Sequence, residues 1–223
     1  KKRTKVRTYL AMLFLVIGSV AIDQVTKSQA RENLLLWESE SNTRNYHSKR
    51  VPVWSSGDET PVSGNPEFFL SFSFNYVRNQ GAAWGVLSDL DDSIRDPFFF
   101  IITFFAVIVI IFYFRSTPSH HRLVRFALGL VLSGAIGNFL DRLKQGYVVD
   151  FLDFRWVIPL PFENFPAWRY AFPNFNWADS MITIGVACLL FDMLFLESKR
   201  KRNETQSTYP QAESKVSHSP SDN

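Results

Sequence analysis

The run Pro97–Phe114 holds no charged residue over 18 positions, close to the ~20 apolar residues an α-helix needs to cross ~30 Å of hydrocarbon. Tyr9–Ile22, Phe126–Leu140 and Ser180–Leu196 are similar runs, shorter or with one polar interruption. In lipid every backbone N–H and C=O has to be bonded within the chain, so runs of this kind fold as helices. The expected fold class is a membrane all-α core of four transmembrane helices. The mean hydropathy of −0.04 looks like that of a soluble protein, but it averages these runs with a polar insertion and a charged tail. Local windows, not the mean, decide the class.

Basic residues set the expected topology. Lys1, Lys2, Arg3, Lys5 and Arg7 precede the first span, Arg115, Arg122 and Arg125 bracket the short second-to-third connection, and Lys199–Arg202 follows the fourth span. By the positive-inside rule all three clusters, and hence both termini, are expected on the cytoplasmic side. The longer connections, Ser28–Asp96 and Leu143–Ala178, then face outward. The net charge of +3 is explained by these clusters and calls for no nucleic-acid partner. The single cysteine, Cys188, lies in the fourth run, so no internal disulfide forms. The first residue is Lys rather than Met, and the chain is expected to be trimmed or incomplete at that end.

Polar chemistry is concentrated where the apolar runs stop. A charge at mid-bilayer costs roughly 2.5–3.5 kcal/mol on insertion scales, so ionisable groups near a span are functional candidates. Span one ends in Asp23-Gln-Val-Thr-Lys27, opposite charges at i and i+4 on one helix face; an anchor with a snorkelling lysine is the plain alternative. Residues 37–67 are polar, rich in Ser, Asn, Gly and Pro, and read as an exposed insertion with little core of its own. Phe68–Val77 alternates apolar and small polar residues, the period of a strand. It leads into Asn79-Gln-Gly-Ala-Ala-Trp-Gly85, where Gly81 and Gly85 allow close backbone approach.

Span two is uninterrupted and is expected to face lipid. In span three Gly129, Ser133 and Gly137 recur every fourth residue, a stripe that lets another helix come close. Gly134, Asn138 and Asp141 form an adjoining stripe that ends beside Arg142. Asp150 follows inside an apolar run, Val148-Val-Asp-Phe151. The next connection is dense in aromatics, including Trp156, Phe162, Phe165 and Phe175, as in an interfacial belt. Phe175-Asn-Trp-Ala-Asp179 opens span four with Asn176 and Asp179 one turn apart, and Asp179 sits where the helix dipole favours an anion. Asp192, near the other end of that span, reads as structural. Asp23, Lys27, Asn138, Asp141, Arg142 and Asp179 thus reach one boundary at one depth, with Asn79 and Asp150 in the flanking loops. Independent anchors would be spread over both interfaces, so one shared site is expected.

The stretches DQVTK, NQGAAWG, GNFLDR, VVDF and FNWAD, in this order and at these helix ends, resemble the signature of the lipoprotein signal peptidase (signal peptidase II) family. The resemblance covers roughly residues 8–197. It implies a four-span membrane peptidase domain over 1–197 with a small outward-facing β-sheet and extended outer loops; the tail over 198–223, basic and then rich in Ser, Pro and Asn, reads as disordered and cytoplasmic. The resemblance implies an aspartic endopeptidase of the bacterial inner membrane that removes signal peptides from diacylglyceryl-modified prolipoproteins, cutting before the lipidated cysteine. By motif, the catalytic pair falls on Asp150 and Asp179, with Asp23, Lys27, Asn79, Gly81, Asn138, Asp141, Arg142 and Asn176 in supporting positions. Membrane lipid is the surrounding partner, and a monomer without cofactor or metal is expected. The insertion, the long 152–174 connection and Trp177, where the family carries a smaller aliphatic residue, depart from the compact pattern.

The chemistry of the residues points the same way. Peptide hydrolysis by two carboxylates needs one ionised, to draw a proton from water, and one protonated, to polarise the scissile carbonyl. Asp150 lies among Val and Phe, which favours the acid; Asp179 at a helix start suits the base. Asp141 is the other candidate, giving an Asp141/Asp179 pair, unless Arg142 and its polar neighbours hold it ionised in a structural network. No His or Cys pattern suits a metal site, and no serine elbow with a paired base is present. The main alternative class is a proton-coupled carrier or a structural membrane subunit, whose acidic groups belong near mid-bilayer.

Overall fold

The computed structural model describes residues 2–39, 46–57, 68–81, 91–158, 168–197, 199 and 200. The readings of Gly85, of Phe162 and Phe165, and of the tail beyond residue 200 fall outside them. Among the described residues four helices are long and apolar enough to cross a membrane: α1 (Lys2–Leu34), α2 (Asp92–Ser116), α3 (Arg122–Gln145) and α4 (Trp177–Phe191), the last prolonged by a π-helical turn, Asp192–Leu196.

The first helix does not end at Asp23–Lys27, as expected, but continues to Leu34. The residues from Asp23 to Leu34 include no Gly or Pro, so nothing in the chain breaks the helix, and its 33 residues span about 50 Å at ~1.5 Å per residue. Asp23 and Lys27 are therefore mid-helix residues rather than a helix end. α2 leaves Ile101, Phe104, Phe105, Val109 and Phe112 exposed, a large apolar face that fits lipid rather than water. It starts at Asp92, ahead of the apolar run, because the Asp91 side chain accepts from the Ser93 N–H at 2.8 Å and caps it.

α3 is the central helix, packed against α1, α2 and α4. Its small-residue stripes make those contacts close. A Cβ added at Gly134 would lie 2.3 Å from the Ala178 carbonyl oxygen of α4, and one at Gly137 would lie 2.6 Å from Asp23 Oδ2 of α1. Ser133 Oγ donates to Ser19 Oγ at 3.1 Å, and Ser19 also accepts the Trp177 indole N–H at 3.1 Å. At the other end of α3, Gly146 adopts a left-handed conformation (φ 76°) and its N–H bonds the Arg142 carbonyl, which turns the chain sharply into a strand.

A four-stranded antiparallel sheet runs in the order β3 (Val51–Ser55), β4 (Phe69–Asn79), β5 (Val148–Ile158), β6 (Trp168–Ala171). A separate hairpin pairs β1 (Leu35–Glu38) with β2 (Tyr46–Ser48). The insertion, expected to be exposed with little core of its own, thus carries β2 and β3, and β3 is exposed along its length. β3 extends the sheet, and Tyr46 packs on the buried cluster of Ala30, Leu34, Tyr76, Tyr147, Val149 and Phe151. Among the described residues, the connection after Asp150 holds the rest of β5 and the short β6. Its described aromatics stack on the sheet: Phe72 with Phe154 at 4.6 Å and Trp156 with Tyr170 at 4.7 Å between ring centroids. A bulge interrupts the β4–β5 register between Phe74 and Val77, after which Val77 faces Asp150 and Asn79 faces Val148. Because side chains alternate along a strand, Val77, Asn79 and Asp150 share one face.

Candidate active site

Lys27 lies at the centre of the polar residues. Its side chain is almost fully buried, and its ammonium has three donors. Nζ lies 2.9 Å from Asp23 Oδ2 and 3.0 Å from Asp141 Oδ2, and it donates to Asn138 Oδ1 at 3.0 Å. A buried charge is tolerated when paired and fully hydrogen-bonded, and here every donor is used.

The two carboxylates beside Lys27 each hold a different element. Asp23 Oδ1 accepts the backbone N–H of Ala178 at 3.0 Å, so α1 fixes the first turn of α4. Asp141 Oδ2 accepts the backbone N–H of Val149 at 3.1 Å, so α3 fixes the strand that carries Asp150. Gln24 Nε2 donates to Asp141 Oδ1 at 2.8 Å and to Asp23 Oδ2 at 3.2 Å, and its carbonyl accepts from Lys144 Nζ at 2.6 Å. Gln24 lies within the DQVTK stretch, but residue type alone did not separate it from a spacer between the two charges. The expected pairing of Asp141 with Arg142 is not formed. Arg142 points away, donating to the Gly81 carbonyl at 3.1 Å with its guanidinium 4.5 Å from the Phe99 ring centroid. Consecutive helix positions point about 100° apart, so neighbours in sequence need not share partners.

Three asparagines then connect the remaining carboxylates. Asn176 caps α4 in a reciprocal box: its Oδ1 accepts the Asp179 N–H at 3.0 Å, and Asp179 Oδ2 accepts the Asn176 N–H at 3.1 Å. Its Nδ2 donates to Asp150 Oδ1 at 2.7 Å and to Asn138 Oδ1 at 3.2 Å. Asn138 Nδ2 donates to Asp179 Oδ1 at 2.7 Å, an orientation fixed because its oxygen already accepts from Lys27. Asn79 Nδ2 donates to Asp150 Oδ2 at 3.0 Å, and its own oxygen accepts the Gly81 N–H at 3.0 Å. Every residue expected at the shared site thus joins one connected network, with Arg142 entering through Gly81.

The two ends of the network differ. Asp150 is buried, whereas Asp179 is only half-buried. Burial, together with the charge of Asp179, pushes the Asp150 carboxyl from its ordinary 3.8 up to about 8, against the opposing pull of Asn79, Asn176 and Lys27. Asp192 belongs to none of this. It pairs with Arg200 at the far end of α4, as a structural carboxylate would.

A second cluster, not foreseen from the sequence, ties the hairpin to the network. The buried Arg78 forms a salt bridge with Glu38, donates from Nε to the Tyr76 hydroxyl at 3.2 Å, and lies 4.8 Å from the ring centroids of both Tyr46 and Tyr147. Its backbone N–H donates to the Tyr46 hydroxyl at 3.1 Å. Glu38 also receives Arg31 at 2.9 Å. Arg78 directly precedes Asn79. The basic–aromatic alternation of Tyr76 and Arg78 was the available signal, but their partners lie in the insertion, whose folding the local pattern did not reveal.

Fold and site together define a multi-pass membrane protein with a connected polar network of four carboxylates, one lysine and three asparagines near one end of its helices. Residues 15–195 match the family described as Signal peptidase (SPase) II. A lipoprotein signal peptidase of Symbiobacterium thermophilum is 42% identical over 84% of this chain and 96% of its own length. Those of Anaeromyxobacter sp. strain Fw109-5 and Geobacter sulfurreducens are 38% and 36% identical, over 81% and 87% of this chain and 82% and 97% of theirs. A bacterial membrane enzyme solved by the in meso method at 2.3 Å superposes with a TM-score of 0.56 at 26% identity, covering 90% of this chain and 93% of that one. The chain belongs to the signal peptidase II family and is an aspartic peptidase.

Proposed function

We propose that Asp150 and Asp179 are the catalytic pair with which this lipoprotein signal peptidase removes signal peptides from prolipoproteins, cutting before a diacylglyceryl-modified cysteine. The observation that carries the assignment is the asymmetric bridging of the two carboxylates through Asn176, which donates one N–H to each. The buried Asp150 is the acid and Asp179, at the start of α4, the base. Asp179 draws a proton from a water molecule, whose oxygen attacks the scissile carbonyl carbon, while Asp150 gives its proton to the carbonyl oxygen. Collapse of the tetrahedral diol breaks the C–N bond, with a proton passing from Asp179 to the leaving amine and one returning to Asp150. Asp141 is not a catalytic member in this reading, because, unlike Asp150 and Asp179, it is in a direct salt bridge with Lys27 and holds the strand that carries Asp150. Membership of a peptidase family also removes the carrier and structural-subunit readings.

The peptidase domain is assigned to residues 1–197, with both termini on the cytoplasmic side and the carboxylates near the outer face of the bacterial inner membrane, as the basic clusters of the short connections favour. A monomer suffices, since every group the mechanism uses comes from one chain. The test is cleavage of a prolipoprotein with and without its diacylglyceryl group by the wild type, Asp150→Asn and Asp179→Asn. Only the lipidated form should be cut, and only by the wild type. Appreciable cleavage by either variant would remove that aspartate from the pair.

A further inference from the structure

At the end of the helices opposite the carboxylates, a cavity of about 720 Å³ opens between the beginnings of α1 and α3. Arg7, Arg122 and Arg125 line it, with the hydroxyl residues Thr8 and Ser119 beside them and Met12, Leu15 and Phe126 farther along. No acidic residue is among the lining residues, and none of the three arginines forms a salt bridge among the described residues. Arg125 is 8% exposed. One terminal nitrogen donates to the Thr117 carbonyl at 2.7 Å, its guanidinium lies 4.0 Å from the Phe114 ring centroid, and its Nε finds no acceptor.

A buried cation without a counter-charge is unfavourable, and two further arginines around the same cavity repel it. The positive-inside bias explains positive charge near this boundary, but it needs no cavity and no buried guanidinium. α3 also starts at the cavity with Arg122, adding the positive end of its dipole. An anion relieves all of these charges together. The apolar side of the cavity selects among anions: Met12 and Leu15 on α1 and the exposed Phe126 on α3 continue from the arginines along the helix surfaces toward mid-span. A free phosphate has nothing to place there, whereas an amphiphile does.

We propose that this cavity binds an anionic phospholipid, with its phosphate held by Arg7, Arg122 and Arg125 and the upper part of an acyl chain lying along Met12, Leu15 and Phe126. Guanidinium pairs phosphate through parallel N–H donors, and basic pockets between transmembrane helices are suited to acidic headgroups. The site is separate from the carboxylate network and independent of the catalytic assignment.

The test compares the purified protein in detergent with added dioleoylphosphatidylglycerol, dioleoylphosphatidylcholine or inorganic phosphate, following thermal unfolding and the lipid adducts retained in native mass spectrometry. Phosphatidylglycerol should raise the unfolding temperature and persist as a one-to-one adduct, with phosphatidylcholine and phosphate doing neither. The double variant Arg7→Gln/Arg122→Gln should lower phosphatidylglycerol retention roughly tenfold or more. Both side chains are exposed, so its unfolding temperature without lipid should match the wild type, and Arg125 is left intact because it also holds Thr117. Equal retention of both lipids, an equal thermal shift with phosphate alone, or undiminished retention by the double variant would each overturn the proposal.

Discussion

Lys27 of α1 and Asp141 of α3 form a buried salt bridge at 3.0 Å, and the same ammonium reaches Asp23 at 2.9 Å. Two carboxylates share one cation, so removing the cation should be worse than removing either anion. Lys27→Met should cost about 3–5 kcal/mol, the range for breaking a buried pair, because it leaves two unpaired carboxylates facing each other. Asp141→Asn should cost less, since Lys27 keeps Asp23 and the amide oxygen can still accept the Val149 N–H. Thermal unfolding of both variants in one detergent, with cleavage measured alongside, checks the order. A less stable Asp141→Asn would show that Asp141, not Lys27, is the critical member.

The pH profile should follow Asp150. Its carboxyl is pushed from 3.8 up to about 8 by burial and by Asp179, so cleavage that needs this proton should decline as pH rises through about 8. The apparent values belong to the Asp150/Asp179 pair. Stability shifts in the same direction: between 3.8 and about 8 the folded chain holds a proton that the unfolded chain lacks, so this group's contribution falls as pH rises and levels off above. Asn79→Ala removes a hydrogen bond that lowers the Asp150 value, and its alkaline limb should move to higher pH. A limb that stays in place would mean that another group sets it.

Deletion of residues 39–64 with a short flexible linker should insert into the membrane and lose most activity. Loop closure itself costs little. The loss comes from Tyr46 at Arg78, from Arg50, whose Nε lies 2.7 Å from Asp153, and from β3 at the sheet edge. Glu38→Gln is the milder test. It keeps the hairpin but weakens the hold on Arg78, which pins the strand beyond its bulge, where a one-residue slip would turn Asn79 away from Asp150. We expect reduced kcat with KM nearly unchanged, and no further loss when Glu38→Gln is added to Asn79→Ala. Full activity of the deletion would show that the sheet holds Asn79 without the insertion.

Gly134→Ala should separate α3 from α4, because the new Cβ would meet the Ala178 carbonyl oxygen at 2.3 Å, where no rotamer can relieve it. Overpacking of this kind costs on the order of 3 kcal/mol. The shift also moves Asn138 from Asp179, so activity should fall further than stability alone predicts. Gly18→Ala, with nothing within 4 Å of the added carbon, is the matching control. It should be neutral or slightly stabilising through helix propensity. Equal unfolding temperatures for the two variants would refute the close packing.

The sequence by itself determined the membrane class, the four spans and the set of polar residues at one depth, because hydrocarbon thickness and the cost of buried charge act on local composition. The helix contacts at Gly129 and Gly137 were also legible, since small residues at helical spacing mark a close approach whatever the partner, whereas the contact of Gly134 with Ala178 was not foreseen. Local pattern carried less where pairing is long-range. It suggested Arg142 as the partner of Asp141, but helix geometry turns those neighbours apart, and the packing of α1 on α3 supplies Lys27 instead. It left α1 ending at Asp23–Lys27, where hydropathy drops although helix propensity does not, and the helix runs on to Leu34. Only the tertiary structure joined the insertion to the site, because Glu38, Tyr46 and Arg78 meet through strand pairing and burial, and polar residues chosen for such contacts look in sequence like those of an exposed loop.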